Sequence, residues 1–341
     1  MPHGKPMVIL GIESSCDDTA AAVLVDGVVR SNVVAGQDVH KAWGGVVPEL
    51  ASRAHQEHIV PVVHEALRLA NVTKAELDVV AFTQGPGLIG ALLVGTCFAR
   101  SFAQALNVPL VAVDHLQAHV MAHFIRDDEQ RPVPEYPFLN LTVSGGHTLI
   151  VLVRGPLDME ILGTTLDDAA GEAFDKGAKV LGLPYPGGPL IDRYARDGDP
   201  LKYELPIPQV QDLDMSFSGV KTAFSNLVRN SEAREPGFAQ RELPHLCATL
   251  QRSIVDILLR KLQKAGRTRG IPRIGLSGGV SANSALRAQA MALAGREGWA
   301  LYLPPFAYCT DNAAMIAMAG HHLHLAGRHA DLDVVPVARR S

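Results

Sequence analysis

Residues 8–34 read VILGIESSCDDTAAAVLVDGVVRSNVV, and residues 138–164 read FLNLTVSGGHTLIVLVRGPLDMEILGT. The two stretches follow one pattern. In each, a run of apolar and β-branched residues meets a turn of small polar residues, a second run follows, and another turn leads into a third. The first stretch predicts strands over 8–12, 20–25 and 28–34, and the second over 138–143, 149–153 and 161–164. The leading turns are Glu13-Ser14-Ser15 and Ser144-Gly145-Gly146. Each stretch therefore reads as an antiparallel meander.

Alternating helix and strand signals follow both meanders. After the first, periodicity predicts helices over 50–69 and 90–106 and one starting at His115, with strands over 78–83 and 109–113. After the second, it predicts helices over 168–181, 188–196, 243–264 and 282–294, a strand over 273–276 and a last helix from Asp311 to about 325. The polar, proline-bearing stretch 126–137 marks a lobe boundary, and 197–217 reads as an irregular insertion. A meander-plus-helix unit that occurs twice is the outline of the actin-like fold of sugar kinases and Hsp70, an α/β fold whose two lobes each turn a hairpin toward a nucleotide cleft. The expected division is a first lobe over 1–135, rejoined by a C-terminal helix of about 312–341, and a second lobe over 136–311.

Composition narrows the function classes. With 341 residues, 47% hydrophobic and 19% charged, the chain can bury two cores and is not disordered. The cysteines Cys16, Cys97, Cys247 and Cys309 form no CxxC pair, which speaks against a disulfide framework and for a reduced, cytoplasmic setting. The longest apolar stretch, 88–99, falls short of the roughly 20 residues a membrane span needs, so no membrane association is expected. A net charge of −4 leaves no global basic footprint, so a nucleic-acid partner would need a local patch such as Lys261, Lys264, Arg267 and Arg269, or the tail Arg339 and Arg340.

The sharpest chemical feature is Asp114-His115-Leu116-Gln117-Ala118-His119. Asp114 with Gln117 has the spacing of a helix N-cap pair. His115 and His119 then share one helix face at i and i+4, where two imidazoles reach one metal ion; His123 extends the series as an alternative. Two capped or solvated helical histidines would give the same pattern. Leu116 stands where a zinc protease carries its glutamate, which argues against proteolysis. Asp311, just before the last helix, offers an oxygen ligand or serves only as an N-cap.

Three small-residue turns form a second constellation: Ser144-Gly145-Gly146, Pro186-Gly187-Gly188 and Ser277-Gly278-Gly279 running to Asn283. Glycine lets backbone N–H groups approach a phosphate, and a helix starting just beyond adds partial positive charge. A Walker A motif is absent. In the helix over 168–181, Asp168, Glu172 and Asp175 fall on one face with Lys179, and Phe174, Ala178 and Leu181 on the other. The acidic face reads either as a ligand contact or as a solvated, ion-paired surface.

Together these segments resemble the tRNA threonylcarbamoyladenosine transferase family TsaD. The match runs through Gly11 to Asp18, Gly44 to Arg53 (bacterial in flavour), the His115/His119 pair, Ser144 to Thr148, Asp167 to Gly188, Ser216 to Thr222, Ser277 to Asn283 and Cys309 to Asn312. The resemblance implies an actin-like fold and one divalent metal, iron(II) in preference to zinc, held by His115, His119 and Asp311. It implies that Thr142, Val143, Ser144, Gly145, Gly146, Asp175, Gly188, Asp192 and Asn283 contact the adenylate substrate. Archaeal and eukaryotic relatives carry Tyr in place of Thr142 as a further metal contact, so no fourth ligand is implied here.

The implied reaction moves the acyl group of threonylcarbamoyl-AMP to N6 of the adenosine 3′ of the anticodon, in tRNAs that read codons beginning with A. The implied partners are a shorter actin-like paralogue (TsaB) and a small ATPase (TsaE). The apolar stripe Ile59, Val62, Val63, Ala66 and Leu69, widened by Val60 and Leu67 on a helix that Pro61 should bend, reads equally as buried within the first lobe or as partly exposed, and the resemblance implies that it is a docking face. The alternatives are an actin-like ATPase or small-molecule kinase, and a scaffold that only presents tRNA.

Overall fold

The computed structural model describes residues 5–37, 40, 43–127, 129 and 131–339. In it, β1 (Val8–Glu13) is buried along its whole length, and β2 (Thr19–Val25) along all but its last residue. Strands this apolar are stable only where both sheet faces are covered. They pair antiparallel with each other, and β2 pairs with β3 (Val28–Ala35).

After α1 (Pro48–Leu69), β4 (Val79–Gly85) joins β1 in parallel; after α2 (Ile89–Leu106), β5 (Leu110–Asp114) joins β4. The short α3 (His115–Met121) follows at once. One core packs Val8, Leu10 and Ile12 against Ile59, Val62 and Val63 of α1 and Ala99 and Ala103 of α2. The last helix of the chain, α10 (Ala313–Leu325), lies so close to β1 that a Cβ on Gly11 would fall 2.5 Å from the Ala313 carbonyl oxygen. Met1–Val133 and Pro304–Ser341 thus form one unit, and Pro134–Leu303 the other.

The second unit repeats the first. Its strands β6 (Phe138–Val143), β7 (Thr148–Gly155) and β8 (Asp158–Thr164) form the antiparallel meander. Next come α4 (Ala170–Val180), α5 (Gly188–Ala195), α6 (Ser218–Arg234), α7 (Phe238–Arg241) and α8 (Leu243–Arg269). Then β9 (Arg273–Ser277), α9 (Ser284–Glu297) and β10 (Ala300–Tyr302) complete the unit. The sheet orders β3-β2-β1-β4-β5 and β8-β7-β6-β9-β10 are the same, with the same parallel and antiparallel pairings. The core joins Leu139, Leu141 and Val143 of β6 to Phe174 of α4, Phe224 of α6 and Leu250 of α8.

Several sequence expectations need correction. Residues 218–242, left unassigned above, contain α6; only Val220, Phe224 and Val228 of that helix are buried, a stripe one residue per turn wide. The helix predicted from Asp168 starts at Ala170, because Asp168 turns aside to pair with Lys176 (2.9 Å) and Lys221 (2.5 Å). Pro61 does not break α1: the carbonyl its missing N–H leaves over belongs to Glu57, on the exposed side where water can reach it. Val62 and Val63 are buried in their own unit and are no docking face, whereas Val60 and Leu69 are exposed.

Among the described residues, only α2 is long and apolar enough to cross a membrane. Here it packs Ala91, Leu92, Gly95, Thr96, Ala99 and Ala103 inward.

Candidate metal centre and phosphate turns

β5 delivers the chain into α3 through Asp114, whose carboxylate caps the helix by accepting from the N–H groups of Leu116 and Gln117, both at 2.9 Å. This early start puts His115 on the first turn and His119 on the second, both buried, with ring centroids 4.7 Å apart. Asp311 arrives from the other end of the unit. Asn312, not Asp311, caps α10, accepting from the Met315 N–H at 3.0 Å. The Asp311 carboxylate is thereby left to face the histidines, with Oδ1 3.4 Å from His115 Nε2 and 3.2 Å from His119 Nε2.

The three donor atoms lie within 4.8 Å of one another. His119 is fully buried, yet neither ring nitrogen has an aligned hydrogen-bond partner; a cation bound beside Asp311 would engage one of them, Nε2. Two imidazoles and one carboxylate suit iron(II) or zinc with positions left open. Asp311 retains 24% side-chain exposure, so the cluster has an outlet. The residues present fit a divalent metal.

Sequence reasoning missed Glu13 as a member of this cluster. Wholly buried at the end of β1, it accepts from His115 Nδ1 (3.0 Å) and Thr83 Oγ1 (2.7 Å) through Oε2, and from the Ser15 N–H through Oε1. Its place in a Glu-Ser-Ser turn gave no hint of a partner 102 residues away. Burial by itself would disfavour every charge here, but the groups hold one another ionised. Glu13 and Asp311 raise His115 well above the ordinary histidine range, and His115 in turn keeps both carboxylates below theirs. Burial, Asp17 and Asp311 push the Cys16 thiol up. Burial and the surrounding carboxylates likewise raise Asp18 to about 7.

In the second unit, the turn Ser144–Gly146 is closed by Ser144 N–H to the His147 carbonyl (2.8 Å) and abuts the start of α4, where a Cβ on Gly171 would meet the Ser144 carbonyl at 2.5 Å. Gly278 (φ +84°) lies against the Val143 carbonyl, where a Cβ would come within 2.4 Å. By contrast, a Cβ on Gly145 or Gly146 would meet nothing, and one on Gly188 only Phe174 at 3.9 Å. Neither local packing nor positive φ demands these three glycines.

Asp175 Oδ1 accepts from the Gly187 and Gly188 N–H groups at 2.8 and 3.1 Å, which ties this turn to α4. Asp192 accepts from Ser284 Oγ (2.6 Å), and Asn283 caps α9 through Leu286 N–H (2.9 Å) while bonding Gln251. Thr142 is buried, its hydroxyl tied to Asn140 and Ser277. A chain of contacts thus links turn 144–146 and the starts of α4, α5 and α9, and helix starts favour anions.

The basic patch fares less well. Lys261 is bonded to the carbonyls of Val210 and Asp212, Lys264 to that of Asp212, and Arg267 pairs with Glu297. Arg340 lies outside the described residues.

Two units of identical sheet topology, one with a His-His-Asp cluster and the other with glycine turns at helix starts, define an actin-like, sugar-kinase-class α/β protein. HypF from T. kodakarensis has the same fold (TM-score 0.62, 14% identity, covering 99% of this chain and 50% of HypF). So does the activator of 2-hydroxyisocaproyl-CoA dehydratase from Clostridium difficile (TM-score 0.50, 12% identity, 94% and 97% covered).

Residues 28–318 match the family TsaD, tRNA N6-adenosine threonylcarbamoyltransferase. Proteins of that name from Cytophaga hutchinsonii and Christiangramia forsetii are 52% and 53% identical, covering 98% and 97% of this chain and 96% and 97% of their own lengths. The chain belongs to the tRNA N6-adenosine threonylcarbamoyltransferase family.

Proposed function

We propose that this chain transfers the threonylcarbamoyl group of threonylcarbamoyl-AMP to N6 of the adenosine 3′ of the anticodon, in tRNAs reading codons that begin with A. Full-length likeness to enzymes of that name supports the transferase reading. The observation that carries its metal dependence is the convergence of His115, His119 and Asp311, with both nitrogens of buried His119 lacking a hydrogen-bond partner. A kinase or ATPase acting on a small molecule has no evident use for such a cluster.

In the reaction, the N6 lone pair attacks the carbamoyl carbon, the carbon–oxygen bond to phosphate breaks, and AMP leaves with the electron pair while the N6 proton passes to solvent. AMP is a good leaving group, so no covalent nucleophile is required. In this reading Ser144, Gly145 and Gly146, flanked by Thr142 and Val143, hold the adenylate through backbone donors. Asp175, Gly188, Asp192 and Asn283 order the helix starts around it. A metal bound by His115, His119 and Asp311 supplies Lewis acidity, and iron(II) is the proposed ion.

The enzyme works in the cytoplasm with a TsaB-like paralogue and a TsaE-like ATPase. Exposed Val60 on α1 and Ile89, Leu93 and Cys97 at four-residue spacing on α2 are the proposed partner contacts. The test supplies threonylcarbamoyl-AMP, unmodified tRNA and these partners, then assays the modified nucleoside. Phosphorylation of a small molecule without any modified nucleoside would overturn the reading.

A further inference from the structure

A neutral imidazole offers one nitrogen to a metal and keeps its proton on the other, and whatever accepts that proton selects the donor. His115 turns Nε2 toward Asp311 and the shared space with His119, and turns Nδ1 toward Glu13 Oε2 at 3.0 Å. Glu13 is itself held rigidly. Thr83 Oγ1 on β4 donates to the same oxygen, and the Ser15 N–H binds the other. Three elements of one unit therefore converge on a carboxylate that touches only the far side of the histidine ring.

His119 has no such support, since its Nδ1 lacks any hydrogen-bond partner. Of the two carboxylates bracketing His115, only Asp311 also reaches His119 (3.2 Å), which makes Asp311 the ligand and leaves Glu13 a different task.

We propose that Glu13 is a positioning residue: it fixes His115 with the proton on Nδ1 and Nε2 free for the metal, and so sets metal affinity. The proposal rests on the metal-centre reading above. Its burial alone does not make Glu13 necessary, because an apolar residue could fill that space without three bonds to satisfy. An acceptor aimed at the outer nitrogen of a metal-binding histidine has a known effect, strengthening the ligand and locking the ring.

The full-length chain, freed of metal by chelation, is titrated with Zn²⁺ against a competing chelator. Glu13→Gln should bind Zn²⁺ roughly 10–100-fold more weakly than wild type. Thr83→Val, which removes a bond from the same carboxylate without touching His115, should stay within a few-fold. Wild-type affinity in Glu13→Gln overturns the proposal. Should that variant fail to fold, nitrogen NMR of the zinc-loaded wild type decides: a protonated Nδ1 and zinc on Nε2 of His115 support it, and zinc on Nδ1 overturns it. A wild-type chain that takes up no Zn²⁺ refutes the metal centre itself, a result distinct from normal binding by Glu13→Gln.

Discussion

Gly11→Ala should break the metal centre without touching any of its ligands. Gly11 lies mid-β1, and a Cβ there would meet the Ala313 carbonyl oxygen at 2.5 Å, the Ala317 Cβ at 2.7 Å and the Ala317 nitrogen at 2.8 Å. Two of these are backbone atoms of α10, so no rotamer change relieves the clash. To bring the closest pair to the 3.4 Å of ordinary contact, α10 must back away from β1 by about 0.9 Å.

Overpacking of this kind costs about 1–3 kcal/mol, and a rigid neighbour puts the cost at the upper end. Asp311 lies just ahead of the displaced helix, and a metal constellation tolerates only about 0.5 Å of error. Zinc affinity should therefore fall at least about tenfold, or 1.4 kcal/mol, beyond the loss of stability. Gly320→Ala is the control. It clashes with the Ala81 Cβ at 2.4 Å, one turn further along α10 from Asp311 than Ala317, and should destabilise the fold while lowering affinity less than Gly11→Ala does. Denaturant melts of the metal-free chain and chelator-competition titrations measure the two quantities. A Gly11→Ala chain that binds zinc like wild type would refute the coupling between the β1–α10 contact and the site.

His115→Ala should abolish metal uptake, read by elemental analysis; because it strands the buried Glu13 carboxylate, it should also cost about 3 kcal/mol in a melt. Zinc affinity should rise with pH through the neutral range, about tenfold per unit, since the ion must displace a proton that Glu13 and Asp311 hold on His115 against burial; a flat profile contradicts this. In the metal-free chain the raised His115 value stabilises the fold fully below the unfolded value of 6.5, and that contribution fades as pH rises through the folded value. Asp175→Ala strips two amide bonds from the start of α5 and should lower stability by about 2–3 kcal/mol, along with adenylate affinity. Leu93→Asp, on the exposed side of α2, should weaken partner binding with little change in melting temperature, whereas Val63→Asp should unfold the first unit; pull-down and melting separate the two.

What the sequence by itself determined lies wherever a local rule governs. The paired meanders were legible because strand runs and small-residue turns are written in consecutive residues, and Asp114 announced α3 because capping acts within three residues. The His115/His119 spacing was legible for the same reason, as was α4's apolar face through Phe174 and Ala178. Helix α6 was not, since one buried residue per turn leaves too faint a period above its polar background.

Only tertiary structure decided which of several locally equal roles each residue takes. Asp311 had the spacing of a helix cap, but Asn312 took that role and left Asp311 facing the histidines. Asp175 sat on an acidic helix face and became the acceptor for the Gly188 turn, while Val63, in a stripe that could have met a partner, was buried at home. Glu13 joins His115 only because β1, β4 and β5 are neighbours in the sheet. Such choices turn on contacts between separate elements, from 12 positions apart for Asp175 and Gly187 to 102 for Glu13 and His115, and local periodicity carries no record of them.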